Sequence, residues 1–231
     1  MSDDDHPGAV TTRGPQRKRV RMTRPTPMLV EPVVLAGRLV RLEPLGLIHL
    51  EDLCEAGLGT NAFRWFTDPI ETPEQMRRHV QWAVAATSDG TQVCFATIEQ
   101  ATGRAVGSTH FLNIERVHHR LEIGYTWLSP SVHGRGYNSE AKWLQMQHAF
   151  ERLGANRVEW KTDALNERSR AALLGIGATF EGIFRNHIIV ADGRLRHSAY
   201  YSVISREWAA VKERLQARLE CQAPLPELDL T

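Results

Sequence analysis

The chain has 231 residues, 42% of them apolar and 24% charged, and a net charge of +1. That is enough for one domain of ordinary size with a sizeable core. It excludes a strong field for attracting nucleic acid, and no apolar run nears the roughly 20 residues that cross a bilayer.

The N-terminus is polar, with no apolar stretch of the kind that begins a secretory signal. Cys54, Cys94 and Cys221 are widely scattered and show no CxxC spacing. A reducing, cytoplasmic setting without a metal site is therefore expected.

Residues 1–27 read as a disordered arm. An acidic Ser2–Asp5 is followed by a basic Arg13–Arg24, with Pro7, Pro15, Pro25 and Pro27 breaking any periodicity. Its RKRVR run (Arg17–Arg21) could contact RNA or an acidic partner. It is short and lacks interleaved aromatics, as a solvated tail does. Residues 28–220 form the expected domain, with order beginning near Val33, and 221–231 a flexible tail.

Val33–Leu35 and Leu39–Leu42 predict strands joined by a tight turn at Ala36-Gly37-Arg38. Leu47–Ala56 predicts a helix. A second helix opens at Thr72-Pro73-Glu74, where Thr72 can cap and Pro73 suits the first position. Met76, Val80, Trp82 and Val84 supply its apolar side. Strands are expected at Gln92–Glu99, Ala105–Ile114 and Leu121–Leu128. In the last, alternation places Leu121, Ile123, Tyr125 and Trp127 on one face and Glu122, Gly124 and Thr126 on the other. A helix from Ser139 to Leu153 ends at Gly154, followed by strand Arg157–Asp163 and helix Glu167–Leu174. Strands Thr179–Val190 and Leu195–Ile204 flank the hairpin signal Asp192-Gly193, and a last helix covers Glu207–Leu219. Trp82, Trp143 and Trp208 are assigned to the core. This order of hairpins, strand–helix–strand–helix and a final hairpin predicts a mixed α/β (α+β) chain with a partly parallel sheet.

Between the strand end at Ser129-Pro130 and the helix start at Asn138 lies His133-Gly134-Arg135-Gly136-Tyr137. Its two glycines free the backbone to point successive amides into one concavity. The helix N-terminus adds unpaired N–H groups and about half a positive charge, so an anion fits here. Arg135 can add a charge-assisted contact.

The stretch LEIGYTWLSPSVHGRGYNSEAK (Leu121–Lys142) resembles the central motif of GNAT N-acetyltransferases. That motif runs Gln/Arg-x-x-Gly-x-Gly/Ala, and the middle glycine matches as Gly136. His133 and Asn138 depart from the general pattern, and the string is closer to the branch of ribosomal-protein-alanine acetyltransferases. Arg157–Asp163, Asn166-Glu-Arg-Ser169, Ile176-Gly177-Ala178, Glu181-Gly182, Asp192-Gly193-Arg194 and Glu207-Trp208 agree with that branch. The likeness covers about residues 33–220. It implies a bent sheet of mixed antiparallel and parallel strands, splayed at its centre and flanked by helices.

Residue by residue, the resemblance implies that the amides of Gly134, Arg135, Gly136, Tyr137, Asn138 and Ser139, with His133 at the head of the turn, bind the pyrophosphate of coenzyme A. The backbone of Thr126, Trp127 and Leu128 would hold the pantetheine arm of acetyl-CoA. Asn166 would hydrogen-bond that arm, and Ser169 would lie near the thioester sulfur; both are also ordinary helix-capping residues.

Acyl transfer to an amine needs the amine neutral. At pH 7 this costs about 4.6 kcal/mol for a lysine and about 1.4 kcal/mol for an α-amine, which favours a protein N-terminus or another low-pKa amine. Glu122 is the candidate base, with an ion pair to Arg120 or His119 as the plain alternative and His110 as a rival. The tyrosine acid common in the family falls at Leu173 here, leaving Ser169 or water to protonate the thiolate. Phe63, Trp65, Phe66 and Asp68 read as an acceptor wall suited to a cationic amine, or as helix packing. The expected reaction is transfer of an acetyl or other short acyl group from acyl-CoA to a primary amine, on a small molecule or a protein N-terminus. The alternative is a catalytically silent module binding CoA or RNA. Neither a membrane nor nucleic acid is an expected partner, and a homodimer is compatible with the fold.

Overall fold

A computed structural model describes residues 26–221. The basic run at Arg17–Arg21 and the C-terminal segment from residue 222 lie outside these residues. β1 (Leu35–Ala36) and β2 (Val40–Pro44) form a hairpin, and a 3-10 turn leads into α1 (Leu50–Gly57). α2 (Pro73–Ser88), β3 (Val93–Glu99), β4 (Ala105–Glu115) and β5 (Arg120–Leu128) follow. α3 (Tyr137–Gln147) continues through a π-helical turn at His148–Arg152 into β6 (Arg157–Asp163). α4 (Glu167–Gly175), β7 (Thr179–Ile189), β8 (Leu195–Ile204) and α5 (Trp208–Cys221) complete the chain.

The strands make one eight-stranded sheet in the order β1-β2-β3-β4-β5-β6-β8-β7. Every pairing is antiparallel except β5 with β6. That parallel pairing runs only from Arg120↔Arg157 to Glu122↔Glu159. Beyond Glu122 the two strands part, and the sheet opens as a V at its centre.

Strand alternation divides the core between the two faces of the sheet. Phe95, Phe111, Leu121 and Ile123 pack with Leu144 and Met146 of α3, Leu173 of α4 and Leu215 of α5. Cys94, Ala96 and Ile98 pack with Leu53 of α1 and Met76, Val80 and Ala83 of α2. Packing begins earlier than Val33. Met28 and Val30 are buried in the larger cluster, the Met28 amide donates to the Arg116 carbonyl, and the Thr26 carbonyl meets His119 Nε2 at 2.9 Å.

α2 begins as its sequence predicts. The Thr72 hydroxyl accepts from the Gln75 amide, and the Gln75 side chain accepts from the Thr72 amide, with Pro73 just inside. Such a cap contributes about 1 kcal/mol. Its buried side is Met76, Val80, Ala83 and Ala86 rather than Trp82 and Val84, each of which is 40% exposed. The spacing of four and three residues from Met76 through Val80 to Ala83 selects that stripe and leaves Trp82 at its margin.

β5 departs from regular alternation. Ser108 pairs with Trp127 but His110 with Gly124, so β5 carries one residue more than β4 across this step. Tyr125 takes the extra place with φ +46. A bulge of this kind reverses the side-chain phase. Leu121 and Ile123 therefore enter the larger cluster, whereas Trp127 enters the smaller one and Leu128 returns to the larger. The expected common face of Leu121, Ile123, Tyr125 and Trp127 does not exist.

Candidate functional site

The V between β5 and β6 opens into a cavity of about 790 Å³. Its walls include β5 from Glu122 to Leu128, the turn and first residues of α3, the first turn of α4, and Arg64–Thr67 from the α1–α2 loop. The β7–β8 hairpin closes toward that loop, where the Ala191 amide donates to the Thr67 carbonyl.

The turn before α3 has the expected geometry. Gly134 and Gly136 both have positive φ, +75 and +88, a region that costs other L-residues roughly 1–2 kcal/mol. His133 Nε2 lies 3.0 Å from the Leu128 carbonyl, tying the turn to the end of β5. Burial, and then the nearby Arg168 charge, hold the His133 pKa down, so the neutral ring donates this bond. The amides from Gly134 through Ser139 have no acceptor among the described residues; the first helical bond is Glu140 N–H to the Gly136 carbonyl. Adjacent donors without partners at a helix N-terminus are an arrangement that suits an anion. The Tyr137 side chain points elsewhere, its phenol donating to Glu99 Oε1 at 2.6 Å. Arg135 does not line the cavity; its guanidinium lies 5.8 Å from the Tyr137 ring centroid.

Thr126, Trp127 and Leu128 present their backbone to the opening, past the point where β5 loses β6 as a partner. Their side chains are engaged in packing. The Trp127 ring packs at a tilt against Phe63, centroids 4.7 Å apart, and Thr126 Oγ1 lies 2.6 Å from Lys142 Nζ. Asn166 caps α4, accepting from the Ser169 amide at 3.1 Å, and both residues line the cavity. Capping leaves the Asn166 side-chain NH2 free to donate.

Glu122 is buried beneath the V, on the face opposite Leu121 and Ile123. A second bulge, in β4, puts Asn113 at φ +47 and carries its side chain to Glu122 Oε2 at 2.7 Å. Lys161 Nζ reaches the same oxygen at 3.0 Å. The expected ion pair with Arg120 or His119 is not formed, because Arg120 turns to Glu115 and Glu159 while His119 bonds backbone carbonyls. Glu122 Oε1 carries no hydrogen bond among the described residues. Tyr125 does not oppose Glu122, since the bulge brings it to the Glu122 side, where the Glu122 charge helps to raise its pKa after burial.

His110 is fully buried, with Nδ1 at 3.1 Å from Gln92 and 3.3 Å from Cys94 Sγ, and it does not reach the cavity. Burial holds its pKa well below the ordinary value. Of the expected acceptor wall, Trp65 and Phe66 line the cavity, Phe63 is core packing, and Asp68 is not a lining residue. Leu173 lines the cavity at the place where a tyrosine was sought.

Several cavity residues were not anticipated. Lys142 is 3% exposed, with Nζ near Thr109 Oγ1 (3.1 Å), Thr126 Oγ1 (2.6 Å) and Gln145 Oε1 (3.3 Å) and no carboxylate among its partners. Burial lowers its pKa to about 7. Arg64, Lys161, Arg168 and Arg196 also line the cavity. Lys142 is two residues from Glu140 and reads as an ordinary helix lysine, so no sequence pattern marks it. Arg168 sits inside the Asn166–Ser169 string and could have been found there.

The family model described as "Acetyltransferase (GNAT) domain" matches residues 40–179. A crystal structure of a GCN5-related N-acetyltransferase from Brucella melitensis is 34% identical and superimposes with a TM-score of 0.77, covering 86% of this chain and 90% of that one. The N-acetyltransferase named p20 of Bacillus licheniformis, described as uncharacterized, is 30% identical over 141 residues, 61% of this chain and 78% of its own length. The provisionally named ribosomal N-acetyltransferase YdaF of Bacillus subtilis (strain 168) is 34% identical over 110 residues, 48% of this chain. The match spans 59% of that relative's length. Fold and likeness together define an N-acetyltransferase. The chain belongs to the GNAT family of acetyltransferases. Among the described residues no cluster of His, Cys, Asp or Glu could hold a metal ion, and no helix is long and apolar enough to cross a membrane.

Proposed function

We propose that the protein transfers an acetyl or other short acyl group from acyl-CoA to a primary amine, by direct attack in a ternary complex. The observation that carries this reading is the run of unpartnered amides from Gly134 to Ser139, opening on the cavity where β5 and β6 part. These amides receive the pyrophosphate of acetyl-CoA, and Arg168 adds positive charge near the turn. The backbone of Thr126–Leu128 and the side chain of Asn166 hold the pantetheine arm. Glu122, with Oε1 free, takes the amine proton through a water, and Ser169 lies beside the departing sulfur. The acceptor is a small-molecule amine or a protein N-terminus; the name of the Bacillus subtilis relative supports a ribosomal protein.

Calorimetric titration with CoA and a thiol-release assay test the proposal. Acetyl-CoA should bind, and thiol should appear with a peptide bearing a free N-terminus, with a polyamine or with an aminated drug. Saturable CoA binding with no thiol release from any amine would show a silent binding module instead. Absence of CoA binding would remove the assignment of the turn.

A further inference from the structure

The acceptor end of the cavity holds a buried cation that the chain leaves without a counter-charge. Arg196, on β8, is 7% exposed and lines the cavity together with Glu122, Tyr125, Lys161 and Ile188. Its Nε is buried with no hydrogen-bond partner, and neither terminal nitrogen donates to any described residue. The carboxylates whose charge reaches it, Asp163 and Glu122, each have other partners, and neither hydrogen-bonds it. Asp163 Oδ2 accepts from Arg194 at 2.6 Å, and Oδ1 accepts from the Leu165 amide at 3.0 Å. Glu122 Oε2 is held by Lys161 and Asn113. Asp68 and Glu71, the acids of the α1–α2 loop, are both outside the cavity lining. Burial pulls the Arg196 pKa down, against the pull of Asp163 and Glu122.

An arginine does not discharge at neutral pH. A buried guanidinium without an acceptor is costly, and a bound anion recovers that cost. The pyrophosphate turn is not the source of this anion. Arg196 acts electrostatically on Glu122, six residues along β5 from the Leu128 end where the turn begins, a distance of roughly 15–20 Å. Lys161 neutralises Glu122, so Arg196 and Arg64 remain as surplus positive charge around the reacting centre. Such a chamber suits a carboxylate and disfavours a polycationic acceptor.

We propose that Arg196 anchors a carboxylate carried by one of the two reactants. This rests on the acyltransferase reading and specifies its substrate class. The carboxylate is either the free end of a dicarboxylic acyl group on CoA or the α-carboxylate of an amino-acid-like acceptor. The fork of guanidinium donors fits either one through paired N–H···O bonds.

Two matched comparisons on the full-length protein test the anchor and separate the sources. Succinyl-CoA and acetyl-CoA are titrated calorimetrically, and thiol release is followed with free amino acids and their amides at fixed acetyl-CoA. In at least one comparison the carboxylate-bearing member should be favoured about 30-fold or more. Preference in the first places the carboxylate on the acyl group, and in the second on the acceptor. Arg196→Met should reduce that preference to about threefold or less, and Arg196→Lys should keep part of it. No preference in either comparison with the wild-type protein overturns the anchor whether or not the variants fold. A preference that survives Arg196→Met also overturns it. Acetyl-CoA binding without any carboxylate preference strikes the anchor alone, whereas loss of acetyl-CoA binding itself strikes the acyltransferase reading and the anchor with it.

Discussion

Lys142 makes the stability of this protein rise with pH in a window where few other groups act. Its ammonium would sit among Thr109, Thr126 and Gln145, with no carboxylate to offset the loss of water. An amine that ordinarily titrates near 10.5 and here titrates at about 7 reflects about 5 kcal/mol of disfavoured charging, at about 1.4 kcal/mol for each pH unit. The sign follows from proton binding. Between about pH 7 and pH 10.5 the unfolded chain holds the proton and the folded chain does not, so stability grows with pH. Below pH 7 both states are protonated and the full penalty is present. The buried His79 and His110 have lowered pKa values and are neutral throughout this window. Cys94, raised to about 11 by burial, acts in the opposite sense, since the unfolded thiol loses its proton from about pH 9 while the folded one keeps it, so the measurement stops at pH 9.

From pH 7 to pH 9 the wild-type protein should therefore gain about 2 kcal/mol from this one group. Lys142→Met keeps the aliphatic volume, removes the titration and should flatten that rise. Its absolute stability also reflects hydroxyls that lose a donor, so the slope, and not the offset, is the test. Urea unfolding of both proteins at pH 7, 8 and 9 measures it. Equal slopes in the two proteins would show that Lys142 is charged in the fold, with an unseen anion or water compensating it.

At the acid end, His79 titrates at about 4 because it is buried against Phe66, Trp82 and Tyr125. Its charging should cost about 3 kcal/mol of stability as pH drops from 6.5 toward 4, and in the same denaturant series His79→Phe should remove that share while the loss due to buried His110 remains. Glu140 accepts the amides of Arg38, Leu39 and Val40 at 3.0, 2.6 and 2.7 Å, joining the β1–β2 turn to α3. Glu140→Ala should cost roughly 3 kcal/mol or more, read by urea midpoint, because buried donors lose their only acceptor. Glu122→Gln should lower kcat/KM by about 100-fold at pH 7 and by less at pH 9, where more of the amine is already neutral; equal losses at both would remove Glu122 as base.

Most of the fold was legible because its elements announce themselves locally. Thr72-Pro73, Asp192-Gly193 and the strand bounds Arg157–Asp163 and Leu195–Ile204 needed only neighbours in the chain. The departures occur where tertiary packing overrides local pattern. A bulge at Tyr125 is invisible to an alternation of apolar residues, and it changes which face carries Trp127. The α2 stripe went to Ala83 and Ala86 instead of Trp82 because the helical spacing from Met76 and Val80 leads to them.

The same distinction governs the site. The turn at one end of the cavity is written in backbone conformation, and two glycines ahead of a helix express that in six consecutive letters. The other end is assembled from side chains distant in sequence: Asn113 from one bulge, Glu122 from the next strand, Lys161 across the parallel pair and Arg196 from the last hairpin. No spacing rule links those residues. Their common chemistry emerges only when ion pairs are assigned and one guanidinium is left over. Lys161 pairs with Glu122 and Arg194 with Asp163, so the charge at Arg196 is a property of the whole chamber rather than of any motif. Neutralising Asp163 separates these contributions. Asp163→Asn should release Arg194 toward solvent and leave Arg196 with less opposing charge nearby, strengthening its pull on a bound carboxylate. Preference for the carboxylate-bearing reactant should then rise above the wild-type value, and a fall would show that Asp163 positions Arg196 instead of competing for it.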